Sequence, residues 1–183
     1  EGGILNQMEQ EIASILEANR PSVVRIHTIY SQSGRGEGLQ YGKGFTHGTG
    51  FVFDKEGHIL TVDRAVRGAE EIWVTLASGF QVRASYVASD PASEVAVIQV
   101  DADNLLPVAL GNSDRMRIGH YAFILGNTFG NLTPSFGVTH EIDRNQDLIH
   151  IMASVNPGFG GAPVFCSTGK VVGLVWAAPD PWS

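Results

Sequence analysis

A glycine-rich turn, Asn-Pro-Gly-Phe-Gly-Gly-Ala-Pro at residues 156–163, is the segment of this sequence best suited to surround a reacting group. Hydrolysis of an acyl bond needs a nucleophile, a neutral imidazole to take its proton, and donors aimed at the developing oxyanion. Glycines tolerate the strained dihedrals of such a turn, and its N–H groups can form an anion-binding nest. The turn itself contains no serine, threonine or cysteine, so a nucleophile would have to come from elsewhere.

The candidate nucleophiles near this turn in sequence are poorly placed. Ser154 and Ser167 stand six and seven positions from Gly160, in stretches typical of a strand or a hairpin turn. Cys166 is the only cysteine of the chain, which excludes an internal disulfide and multi-cysteine metal frameworks. A free cysteine that ends an apolar run is more often a small buried hydrophobe than a nucleophile.

Six histidines raise the question of a metal site. None has a metalloprotease-like spacing. His140 and His150 are ten positions apart, on stretches typical of successive strands, and these two are weak candidate metal ligands. We expect no cofactor, and a metal-binding module is kept as an alternative function.

The elements that must position these residues are mostly short strands. Apolar residues at helical spacing predict one helix at about residues 6–19, with Asn6 and Glu9 spaced like a capping box and Pro21 as a stop. After it, β-rich runs separated by Gly, Asp and Asn are typical of an all-β sandwich or barrel. Residues 31–48 are rich in glycine and predict a long loop.

Length and turn residues suggest two β lobes. A chain of 183 residues suits about one domain or one tightly paired two-lobe unit. Residues 101–116 are the best linker between such lobes. The predicted division is an N-terminal helical segment at residues 1–20, a first lobe at 21–103 and a second at 104–183.

Charge and hydropathy narrow the classes of partner. Lys and Arg number 12 against 19 Asp and Glu, a net charge of −7, whereas a nucleic-acid groove needs a basic stripe. No apolar run approaches the ~18 residues of a membrane span. The start of the chain lacks signal-peptide features and an initiator Met, which predicts a mature or trimmed chain. Nucleic acid and a membrane are therefore not expected as partners.

Several segments, taken in order, resemble the trypsin-like protease domain of the HtrA (Deg) family. They include PSVVRI at residues 21–26, GTGFVFDKEGHILTV at 48–62 and NPGFGGAPVFCSTGKVVGLVWA at 156–177. The resemblance implies two perpendicular six-stranded β-barrels of the chymotrypsin type, with a peptide-binding groove between them. It also implies an extracytoplasmic, periplasmic location.

Two further features follow from the resemblance. The family often forms a trimer through its N-terminal segment, and here Ile4, Leu5 and Met8 predict an apolar surface suited to self-association. Family members usually continue into a closing strand and a PDZ module, whereas this chain ends at APDPWS. The second barrel is thus expected to be short of its last strand, without a PDZ domain in this chain.

The three catalytic positions that the resemblance identifies are all replaced. Arg64 stands at the place of the general-base histidine, Glu94 at that of the orienting carboxylate, and Gly160 at that of the serine. Arginine stays protonated at any working pH, and glycine offers no nucleophile. The resemblance thus implies a pseudoprotease with no catalytic residues, acting in binding, scaffolding or regulation. A serine-type endopeptidase with relocated catalytic groups is the alternative.

The remnant of the cleft is formed by Gly158, Phe159, Gly160 and Trp176. A peptide could add as a strand beside the KVVGLVWA run, or the two aromatic side chains could plug the site. The sequence leaves both readings open. In the family fold the first two catalytic positions converge, so Arg64 and Glu94 are expected to form an ion pair.

Overall fold

The structure is a computed structural model that describes residues 3–32 and 42–176. It opens with helix α1, Ile4–Asn19, which begins two residues earlier than predicted. The expected capping box at Asn6 is wrong, because Gly3 is the N-cap and no side chain caps the helix. The N–H of Asn6 donates instead to the Gly3 carbonyl at 3.0 Å.

The first lobe is a closed barrel of six strands in the order β1-β2-β3-β6-β5-β4. Along β1, Val24, Ile26 and Thr28 are buried, and the residues between them face outward, as a period of two requires. The strands are β1 Val23–Gln32, β2 Gly42–Val52, β3 His58–Val62, β4 Glu71–Thr75, β5 Gln81–Asp90 and β6 Val95–Val100.

The long loop predicted at residues 31–48 is shorter than expected. Strand β2 already begins at Gly42 and pairs with β1, with Phe45 opposite Ile29. The β-branched residues of β1 give this glycine-rich stretch a partner ladder, which local composition does not reveal. The rest of the predicted loop, residues 33–41, lies outside the described residues.

The second lobe is a curled sheet of five strands in the described part of the chain, in the order β11-β10-β7-β8-β9. Together with the closed barrel it confirms the all-β, trypsin-like double-barrel class. The chain between the lobes, residues 101–116, contains no strand. The strands are β7 Tyr121–Thr128, β8 Asn131–Asp143, β9 Leu148–Ala153, β10 Pro163–Phe165 and β11 Val171–Leu174.

Three apolar clusters hold the lobes and the helix together. One fills the closed barrel, and one lies inside the second sheet around Phe159. The third joins Phe51 of the barrel to Phe123 and Phe165 of the sheet, and the α1 residues Ile12 and Ile15 pack on it. The cleft therefore lies between two packed units. No helix in the described ranges has the length and apolar character to cross a membrane.

Candidate active-site remnant

The glycine-rich turn is held as a defined structure at the junction of the lobes. Residues Pro157–Phe159 form one turn of 3-10 helix, and Gly161 follows with φ +84°. The Gly161 N–H donates to the Val175 carbonyl at 2.8 Å. A Cβ at Gly161 would lie 2.2 Å from the Thr49 carbonyl oxygen, so both the dihedral and the close approach require glycine there.

Thr49 of β2 fastens this turn to the first barrel. Its N–H donates to the Gly160 carbonyl at 2.9 Å, and its hydroxyl donates to the Gly158 carbonyl at 2.7 Å. The same hydroxyl accepts the N–H of Asn127 from β7 at 2.8 Å. One buried threonine thus ties the turn to both lobes, and the backbone of the glycine-rich turn has a defined shape.

Gly160 leaves space where a nucleophile would stand. A Cβ built there has one neighbour within 4 Å, Val62 Cγ1 at 3.4 Å, and the residue has φ −51°. A serine could therefore be accommodated without strain. With hydrogen as the side chain, the position has no group that could attack a carbonyl.

Arg64 lies at the cleft in the short 3-10 turn Asp63–Ala65, directly after β3. Its Nη2 donates a hydrogen bond to the backbone carbonyl of Trp176. Trp176 follows β11, the run along which the sequence predicted strand addition by a peptide. Arg64 therefore occupies one of the backbone acceptors at that edge.

Glu94 bonds to the indole of the same tryptophan. The Trp176 indole Nε1 donates to Glu94 Oε2 at 2.8 Å. Glu94 itself has φ +54°, a left-handed conformation for a residue with a Cβ. Below, these two contacts are called the Arg64–Trp176–Glu94 bridge.

The ion pair expected between Arg64 and Glu94 is wrong. The ion pairs within the described ranges do not include one between these two side chains. Both side chains bond to Trp176 instead: its carbonyl accepts from the guanidinium, and its indole N–H donates to the carboxylate. Each charge is satisfied by a hydrogen bond to a neutral group, so direct pairing is not needed.

Phe159 and Trp176 lie in different environments, although the sequence analysis considered both as side chains that could plug the cleft. Phe159 is 1% exposed and belongs to the core of the second sheet with Ile124 and Val164. Its ring fills the space over Gly126, where a Cβ would lie 2.5 Å from Phe159 Cγ. Trp176 is 41% exposed. Phe159 is therefore a core residue, and Trp176 is the aromatic side chain of the cleft.

The sequence interpretation missed Asp63, the neighbour of Arg64. Its carboxylate is fully buried and contacts the guanidinium of Arg67. Its N–H donates to the Glu94 carbonyl at 2.7 Å. The spacing of Asp63 and Arg67, four residues apart, was the available signal. The backbone bond to Glu94 and the contact with Arg67 hold the turn that carries Arg64.

The other candidate nucleophiles have no imidazole partner in the described part of the chain. Ser154 and Ser167 are exposed. The Cys166 thiol lies 3.1 Å from the Thr168 hydroxyl. Burial acts to raise the pKa of this thiol, but hydrogen bonds from Thr168 and from backbone N–H groups outweigh it and lower that pKa. No group here combines a nucleophile with a base.

His140 and His150 do lie close together, on β8 and β9, with ring centroids 6.0 Å apart. The described residues contain no group of three or more His, Cys, Asp or Glu side chains that could hold an ion, so this pair would supply only two protein ligands. His140 and His150 therefore remain only a weak candidate for a metal site.

A closed six-stranded barrel packed against a curled second sheet, with a glycine-rich turn at their junction, is the architecture of a trypsin-like peptidase. A family model of the trypsin-like peptidase domain matches residues 48–174. A relative from Chlamydia trachomatis, named as a probable periplasmic serine endoprotease DegP-like, is 37% identical over 135 residues, covering 69% of this chain and 27% of the relative. The Arabidopsis thaliana Protease Do-like 1, chloroplastic, is 36% identical over 147 residues, covering 73% of this chain and 34% of that protein.

Solved structures agree with these relatives. An HtrA-type protease with a decapeptide superimposes with a TM-score of 0.87 at 28% identity, covering 93% of this chain and 59% of that one. The crystal structure of Deg5 gives a TM-score of 0.78 at 27% identity, covering 94% and 87% of the two chains. The chain belongs to the trypsin-like peptidase family and is an HtrA-type protease domain. It spans about a quarter to a third of the length of the curated relatives it matches.

Proposed function

We propose that this HtrA-type domain has no proteolytic activity and acts in the periplasm as a binding, scaffolding or regulatory domain for a protein or peptide partner. The supporting observation is the identity of the residues at the junction of the lobes. Arg64 bonds to the Trp176 carbonyl, and Gly160 has no side chain. The periplasmic assignment rests on the names of the DegP-like relatives.

The chemistry of these groups opposes acyl transfer. A guanidinium stays protonated at any working pH, so it cannot accept a proton from a nucleophile. Glu94 has no imidazole to orient and accepts instead from the Trp176 indole. The turn retains its backbone form, so what persists is a scaffold for recognition without the groups that react.

The Arg64–Trp176–Glu94 bridge holds the peptide groove closed at its β11 end. A peptide that adds as a strand must use backbone groups of that edge, and Arg64 already occupies the Trp176 carbonyl. Solved HtrA-type structures include complexes with a decapeptide and a tripeptide, and this chain covers 59% and 53% of those chains. In this chain a peptide has to displace Arg64 first.

Removing Arg64 should therefore strengthen peptide binding. The change Arg64→Ala frees the Trp176 carbonyl, and Glu94→Gln weakens the acceptor of the indole. An exposed charged contact contributes about 0 to 1 kcal/mol, so each variant should bind a labelled unfolded-peptide library roughly two- to fivefold more tightly by fluorescence anisotropy. The matched control is Arg117→Ala, an exposed arginine outside the bridge. Unchanged affinity in both bridge variants would show that the bridge does not limit access.

We also propose self-association through the N-terminal segment. Ile4 and Leu5 are 75% and 72% exposed, and Phe129 at the β7–β8 turn is 99% exposed. Phe129 also has φ +47°, so a costly backbone conformation presents an aromatic ring to solvent. Ile4 and Leu5 on the helix, and Phe129 on the β7–β8 turn, are thus two apolar sites that another copy of the chain could cover.

Light scattering should find an oligomer, with a trimer expected from the family resemblance. The double change of Ile4 and Leu5 to Ser, a chain starting at Pro21, and Phe129→Ser should each shift the mass toward the monomer. Phe80→Ser is the control, because Phe80 is 74% exposed on the first barrel, outside this segment. A monomeric starting protein, or variants with undiminished mass, would contradict the proposal.

A further inference from the structure

Two histidines face each other on the outer surface of the first barrel. His27 of β1 and His47 of β2 are direct partners in the antiparallel ladder. Their ring centroids are 4.9 Å apart, and the ring planes are tilted by 36°. Ile26 and Thr28, the neighbours of His27 in β1, are buried inside the barrel, so the two imidazoles project from the opposite face of the sheet.

The imidazole of His27 has a nitrogen without a partner. Its Nε2 is buried and makes no hydrogen bond to the described residues. The Phe45 ring lies with its centroid 5.5 Å from that of His27, so one flank of the pair is covered by an apolar group. Buried polar atoms are nearly always satisfied in folded proteins, and an exception requires an explanation. A ligand at this nitrogen would supply one.

The chemistry of the pair favours a metal ion. The Nε2 atom of His27 has no hydrogen-bond partner among the described residues, so its lone pair is available to a ligand whenever the ring is neutral. Neutral imidazole is a preferred ligand of late first-row divalent cations, with Zn–N distances of about 2.0 to 2.1 Å. Directly opposed positions on antiparallel strands bring two side chains within reach of one ion.

We propose that His27 and His47 form a two-histidine site for a divalent transition-metal ion of the zinc, nickel and copper group. The imidazole rings supply two ligands, and water completes the coordination. The ion would join β1 to β2 next to Gly48 and Thr49, the residues of β2 that contact the glycine-rich turn. This site is independent of the proposed loss of proteolysis.

Calorimetric titration of the chelator-treated protein with zinc chloride near neutral pH tests the site. The unmodified chain should bind Zn²⁺, and His27→Gln and His47→Gln should each weaken binding at least tenfold, since losing even an outer-shell partner costs about 10- to 100-fold. The matched control is His140→Gln, which removes one member of the other close pair and should leave the affinity unchanged. His47 is exposed, so its variant folds normally and keeps the test valid if His27→Gln does not fold.

A second measurement locates the ion. In NMR spectra, Zn²⁺ should shift the ring signals of His27 and His47 and leave those of His140 and His150 in place. Absence of binding to the unmodified chain would overturn the proposal. So would loss of binding in His140→Gln with retention in His47→Gln, because the ion would then sit on the second sheet.

Discussion

A fluorophosphonate probe should leave this domain unlabelled, and casein incubated with it should remain intact. Loss of the nucleophile or the base of a serine protease costs on the order of 10⁶ in kcat, and this chain has Gly160 and Arg64 at those positions. The turnover that remains after such a loss falls below detection in ordinary assays. An active HtrA-type protease serves as the positive control. Labelling of the unmodified chain would favour the alternative of an endopeptidase with relocated catalytic groups.

Restoring the three side chains tests whether Trp176 also blocks the cleft. Space at Gly160 allows a serine, so the triple change Arg64→His, Glu94→Asp and Gly160→Ser can be built on the existing backbone. We expect it to stay inert, because the Trp176 indole N–H bonds to the side chain at position 94 and would compete with the imidazole for the carboxylate there.

Adding Trp176→Thr to that triple variant should allow probe labelling. All three restored groups are needed together, since triad members act as a unit. The control retains Gly160 and carries the other three changes, and it should not label. Labelling of the triple variant alone would mean that Trp176 does not obstruct the site. Inertness of a folded quadruple variant would mean that the cleft has lost more than its side chains.

Replacing Phe159 should destabilise the whole domain. The side chain is 1% exposed and packs against Gly126 and Val164 in the core of the second sheet. Truncation of a buried Phe to Ala costs about 3 to 5 kcal/mol through lost burial and the cavity left behind. In a chain of this length about 1 kcal/mol shifts Tm by about 2 to 4 °C, so Phe159→Ala should lower Tm by roughly 6 to 20 °C.

Calorimetric measurement of Tm for two further variants tests whether lost packing is the cause of the expected fall in Tm. Phe159→Leu keeps most of the apolar volume and should lose less stability than Phe159→Ala. Phe80→Ala removes an exposed ring and should leave Tm nearly unchanged. If Phe159→Ala and the unmodified protein have the same Tm, the ring is not part of the core. Phe159 would then again be a candidate plug of the cleft.

Local pattern determined the fold class, and the resemblance to the HtrA family pointed to Arg64 and Gly160 as replaced catalytic positions. Alternation in stretches such as Val24 to Thr28 indicates strands, because side-chain direction in a strand depends only on the period of two. The absence of a base and a nucleophile at Arg64 and Gly160 is a matter of residue type, and no packing can change it. The helix was also predicted from a local pattern, the helical spacing of its apolar residues. Its start was not predicted, because Gly3 caps the helix through the backbone alone.

Tertiary structure decided which side chains meet, because those contacts join residues far apart in sequence. Trp176 stands 82 positions from Glu94 and 112 from Arg64, and no local pattern indicates that its indole and carbonyl will bond to these two side chains. The same holds for Phe159, whose place in the core depends on the space above Gly126. Likewise, part of the predicted loop is a strand, in which Phe45 pairs with Ile29. Its stability depends on the neighbouring strand, which local sequence does not reveal.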